Sequence, residues 1–172
     1  MNTLMKVAFS ALLLLTGSVC IAEPVGITPD LSAVEVMHNG VLVTIERNQD
    51  NKNTIEADYA LTSRPCPPFC IRPIKLAPGV ETIGELEILD YLVAAGKPEN
   101  RILVIDSRTP DWVKKGTIPG SVNIPWTFLK EDTSDPITIA EILEKRFGAR
   151  NEDVFWNFSE AKTLVLFCNG MW

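Results

Sequence analysis

The spacing of apolar and polar positions changes period several times along the chain, and each change marks an element. Ala33-Val34-Glu35-Val36-Met37 alternates with a period of two, and Val41-Leu42-Val43-Thr44-Ile45 follows after His38-Asn39-Gly40. Two alternating runs joined by an Asn-Gly pair predict a β-hairpin over Val34 to Glu46. Asn48 to Asn53 is polar and reads as a loop. From Thr62 to Pro78 the chain carries Pro65, Pro67, Pro68, Pro73 and Pro78, which predicts an extended, rigid path and no regular helix.

Beyond Gly79 the pattern is that of a packed domain. Thr82-Ile83-Gly84-Glu85 matches a capping box, Leu86, Leu89, Tyr91 and Val93 supply an apolar face, and Gly96 with Pro98 ends the helix. Ile102-Leu103-Val104-Ile105 is a continuous apolar run of strand length, the signature of a parallel sheet covered on both faces. A short strand at Ser121 to Ile124 follows the turn Ile118-Pro119-Gly120. Thr138-Ile139-Ala140-Glu141 reads as a second capping box, with Ile139, Ile142, Leu143 and Phe147 on one face and Gly148 at the end. Thr163-Leu164-Val165-Leu166-Phe167 is a buried strand. Helix, strand, strand, helix, strand is an α/β order.

Met1 to Ala22 is set apart from this pattern. Lys6 supplies a positive start, Val7 to Leu15 is almost unbroken apolar residues, and Cys20-Ile21-Ala22 offers small residues for cleavage, as in an export signal. The expectation is an exported, periplasmic or secreted protein with no stable membrane span after cleavage. Soluble export ranks ahead of lipid attachment at Cys20, because Val19 is a poor residue before a lipidated cysteine. The expected organisation is a signal peptide at 1–22, an N-terminal extension at 23–78 and a core domain at 79–172. Loss of Lys6 with the leader takes the net charge from −6 to −7, which leaves no electrostatic footprint for nucleic acid.

The candidate chemistry lies at the end of the chain. The strand at Thr163 to Phe167 delivers Cys168-Asn169-Gly170 onto a turn. A cysteine at the C-terminal end of a strand in an α/β fold is where a thiolate can be held by loop N–H groups and a following helix. The bland alternative is a packing cysteine at the end of a core strand. One histidine, His38, is present in the whole chain, which argues against Cys-His or Ser-His-Asp catalysis and against a multi-histidine metal site. Cys66-Pro67-Pro68-Phe69-Cys70 is a second cluster. In an oxidising compartment it reads first as a local disulfide; metal binding and a redox relay to Cys168 are the alternatives. Metal and cofactor are both expected to be absent. Trp112, Trp126, Phe128 and Trp156 are expected to pack over the sheet.

Ile105-Asp106-Ser107-Arg108-Thr109-Pro110-Asp111-Trp112, followed by Gly116-Thr117-Ile118-Pro119-Gly120-Ser121-Val122-Asn123-Ile124-Pro125, resembles the first signature of rhodanese-like domains. The strand ending in Cys168-Asn169-Gly170 resembles the start of that family's active-site loop. Thr117 stands where the family usually has histidine, and the family's loop runs several residues beyond Trp172. The resemblance covers Glu81 to Trp172 and implies a parallel sheet with flanking helices, here preceded by the hairpin and the Pro-rich extension. It also implies that the C-terminal part is missing and that the chain as it stands is poorly active.

The activity implied by the resemblance is sulfane-sulfur transfer. Cys168 would be the persulfide carrier, Asn169 and Gly170 the active-site loop, and Asp106, Arg108 and Asp111 supporting residues, with Arg108 pairing with Asp111 or positioning an acidic group. The partners are a small sulfur-containing anion such as thiosulfate and a thiol or other sulfur acceptor. A catalytically inactive rhodanese module for partner binding or redox sensing is the alternative. Cysteine phosphatase or arsenate reductase chemistry, which uses a longer loop ending in arginine, ranks third.

Overall fold

The computed structural model describes residues 24–55, 57, 75–97 and 99–169. The leader and the Cys66–Cys70 cluster, with the readings attached to them, lie outside the described residues, as does Gly170.

Strand β1 (Ala33–His38) and strand β2 (Val41–Glu46) pair antiparallel from Ala33↔Glu46 to His38↔Val41. Asn39 at φ 50° and Gly40 at φ 81° form the two-residue turn expected of Asn-Gly. Helix α1 (Glu85–Ala95) follows, then strand β3 (Ile102–Asp106), a single helical turn α2 (Pro110–Val113) and the short strand β4 (Val122–Asn123). Helix α3 (Pro136–Glu141) continues into a wider π-helical turn at Ile142–Phe147. Strands β5 (Arg150–Glu152) and β6 (Phe155–Asn157) form a second hairpin before strand β7 (Thr163–Phe167).

The central sheet has the order β4-β3-β7 and is parallel throughout. Register runs from Ile102↔Thr163 to Asp106↔Phe167 on one side of β3, and Asp106↔Asn123 on the other. The two-residue period of a strand sends Val104 and Val165 to one face, where they pack with Leu89 and Leu92 of α1 and Val36 of β1. Leu103, Ile105 and Leu164 go to the other face, against Ile124, Ile142, Leu143 and Phe147. This two-sided burial is why Ile102 to Ile105 is apolar at every position.

Both helix starts differ from the capping boxes expected. The N-cap of α1 is Gly84, not Thr82, and its N–H donates to Glu87 Oε2 at 3.0 Å. The buried positions of α1 are Leu89 and Leu92, whereas Leu86 and Val93 are exposed. Helix α3 begins at Asp135, whose Oδ1 accepts from the N–H groups of Ile137 and Thr138 at 3.0 Å each. Pro136 at the first helical position lacks only an N–H that has no partner there. Gly148, at φ 79°, closes the π turn as expected.

Candidate active site

Parallel strands bring their C-terminal ends to one edge of the sheet, so Asp106, Asn123 and Phe167 lie side by side. Cys168 follows Phe167 directly and is exposed, with its thiol free of any disulfide. An exposed thiol at this edge is accessible to a reaction partner. Asn169 is exposed beside it.

Asp106 is fully buried and forms the hub of the edge. Its Oδ1 accepts from Arg108 Nε at 2.9 Å and from the Arg108 backbone N–H at 3.1 Å. Its Oδ2 accepts from Arg108 Nη2 at 2.6 Å and from Thr117 Oγ1 at 2.7 Å. Burial pushes the carboxyl group up. The Arg108 side chain, the Thr117 hydroxyl, the Arg108 amide and the guanidinium charge together outweigh burial, and hold it below the ordinary carboxylate range. Arg108 also donates to the Gly116 carbonyl at 2.7 Å, and its guanidinium carbon lies 5.7 Å from the centre of the Phe167 ring.

The residue in the usual histidine position thus has a definite task. Thr117 spans from Asp106 to Ser121, whose Oγ lies 3.1 Å away and itself donates to the Ile118 carbonyl at 2.6 Å. Asn123 Nδ2 donates to the carbonyls of Asp106 at 2.9 Å and Arg108 at 2.8 Å, fixing the turn that leaves β3. Ser107 donates to the Phe167 carbonyl twice, from its N–H at 3.0 Å and its hydroxyl at 2.8 Å.

These residues make up an edge on which β3 holds β7 and the turn after β3 is tied to its own carboxylate. The rhodanese-like domain family matches residues 90–172, a span that contains every member of this network. This part of the chain is a rhodanese-like domain. The parallel β4-β3-β7 sheet with its helices is consistent with that fold, and at family level the function is sulfurtransferase-type or related. No curated protein and no solved structure compared with the chain gives a match.

Within the rhodanese-like domain, Asp106 and Arg108 meet each other as a buried pair rather than meeting Asp111. Asp111 is exposed and pairs with Lys114 at 3.1 Å. Ser107, Ser121 and Asn123 were not among the residues expected from sequence. Their signal was weak because serine and asparagine are ordinary turn residues, and only the register of three strands brings them to one edge. Trp112, Trp126 and Phe128 are each about half exposed. Lys115 lies 4.5 Å from the Trp112 ring centre, and Lys130 lies 5.9 Å from that of Trp126. Among the described residues no group of three or more His, Cys, Asp or Glu side chains could hold a metal, and no helix is long and apolar enough to cross a membrane.

Proposed function

We propose that the protein transfers sulfane sulfur, with Cys168 as the carrier. The observation that supports this reading most directly is a free, exposed cysteine at the C-terminal end of β7, within a rhodanese-like domain and one residue after Phe167, the register partner of Asp106. The Cys168 thiolate attacks the outer sulfur of thiosulfate. A bond forms between Sγ and that sulfur, the S–S bond of thiosulfate breaks, and sulfite leaves with the electron pair. A thiolate acceptor then attacks the terminal sulfur of the persulfide, and Cys168 departs as thiolate. Each step exchanges one bond to sulfur for another, so the cycle uses no outside oxidant or reductant. Export to the periplasm or the exterior belongs to the same proposal, supported by the charged start and apolar run before Ala22.

The test is mass spectrometry of the full-length protein after incubation with thiosulfate, with peptide mapping. A gain of one sulfur atom on the peptide containing Cys168, lost on treatment with a thiol and absent from Cys168→Ser, is the expected result. An unmodified Cys168 peptide, or sulfur gained equally by the Cys168→Ser protein, would refute the reading.

A further inference from the structure

We propose that Ser107 is a positioning residue for Cys168. The inference rests on the sulfur-transfer reading for its purpose, and on geometry alone for its substance. At the point where β7 ends, the Phe167 carbonyl accepts both the N–H and the hydroxyl of Ser107, at 3.0 and 2.8 Å. A carbonyl oxygen has two lone pairs, so this acceptor is saturated by a single residue of the neighbouring strand.

The N–H bond is what a parallel ladder supplies with any residue at this position. The hydroxyl bond is particular to Ser107. Because the peptide unit is planar, fixing the direction of the Phe167 carbonyl also fixes the direction of the Cys168 N–H and of the N–Cα bond that carries the cysteine. Arg108 sets the other side of this hinge, with its guanidinium carbon 5.7 Å from the Phe167 ring centre. Arg108 is itself held by the buried Asp106. Residues 106–108 thus act on Cys168 through Phe167, and Ser107 is the member that touches the connecting peptide directly. A carbonyl that accepts two hydrogen bonds is also more polarised, which makes the Cys168 N–H a better donor beside its own sulfur.

Ser107→Ala retains the ladder bond and deletes the hydroxyl bond, while Ser107→Thr keeps a hydroxyl and suits an extended backbone. For all three proteins the rate constant of Cys168 alkylation by iodoacetamide is measured, together with kcat and KM for thiosulfate and the thermal midpoint. Positioning predicts that Ser107→Ala alkylates about fivefold more slowly, the usual weight of one neutral hydrogen bond. It also predicts a similar fall in kcat with KM within about twofold, because the lost contact orients the nucleophile without binding the donor. Ser107→Thr should recover most of both losses. If Ser107→Ala alkylates at the parental rate, or Ser107→Thr fails to recover while melting normally, the proposal is overturned. If the parent protein acquires no sulfur, yet Ser107→Ala still slows alkylation and Ser107→Thr restores it, the positioning role stands and the transfer reading falls.

Discussion

Replacing Asp106 with Asn keeps the shape of the side chain and removes its charge, which isolates what the carboxylate does at the sheet edge. The carboxylate accepts four hydrogen bonds, three of them from Arg108, and is fully buried. Breaking a buried ion pair by altering one partner typically costs 3–5 kcal/mol. Arg108 keeps its bond to the Gly116 carbonyl, and 15% of its side chain remains accessible, so water can solvate part of the guanidinium charge. A loss near the lower limit, about 3 kcal/mol, is therefore expected. Urea unfolding at neutral pH should show it as a lower midpoint with an unchanged slope.

The pH dependence sharpens the same experiment. Asp106 ionises below the ordinary carboxylate range when folded, so its contribution is complete above about pH 4, where the unfolded chain is already ionised. The contribution is lost as pH falls through the folded value. The gap between the parent protein and Asp106→Asn should accordingly be constant from pH 5 to pH 8, as the linkage argument requires, and close in more acid solution. A loss below about 1 kcal/mol at pH 7, or a gap that widens on acidification, would refute the claim that the charged pair organises this edge.

Two further substitutions test how the N-terminal hairpin is seated. Gly120 has φ +88°, and a Cβ there would lie 3.0 Å from Leu92 Cδ2 and 3.5 Å from Val36 Cβ. Gly120→Ala should cost about 2 kcal/mol in urea, from left-handed backbone strain plus crowding of the core beneath. His38 Nδ1 accepts the Gly120 N–H at 3.1 Å. His38→Ala should lower stability by about 1 kcal/mol and speed amide hydrogen exchange at Gly120 more than at Val104 in the centre of the sheet.

Much of the fold could be read from local pattern. The first hairpin, its Asn39-Gly40 turn, β3 and β7 lie where alternation and continuous apolar runs placed them, because in each the side-chain period directly reflects burial. Helix starts were harder. Thr82 and Thr138 each precede a correctly spaced glutamate, but Gly84 and Asp135 are the residues that adopt the extended N-cap backbone. Asp135 prevailed because a carboxylate followed by proline offers acceptors to two amides and a preset helical φ. The β5–β6 hairpin went unread because Asn151 and Asp153-Val154 give no alternating apolar signal. At the site, Cys168, Asp106 and Arg108 could be named from the chain. The partner of Arg108 could not, since Asp106 and Asp111 are both near it in sequence and only burial separates them.

The seating of β1 on α1 separates the evolutionary unit from the cooperative one. Val36 shares a hydrophobic cluster with Leu89, Leu92, Val104 and Val165, although the family match begins only at residue 90. Trimming the polypeptide to its family boundary would remove Leu89 along with the hairpin and uncover the side of the sheet that α1 and β1 share. The β1–β2 hairpin and the start of α1 are better regarded as a built-in lining of the domain's interior than as a tail to be cut away.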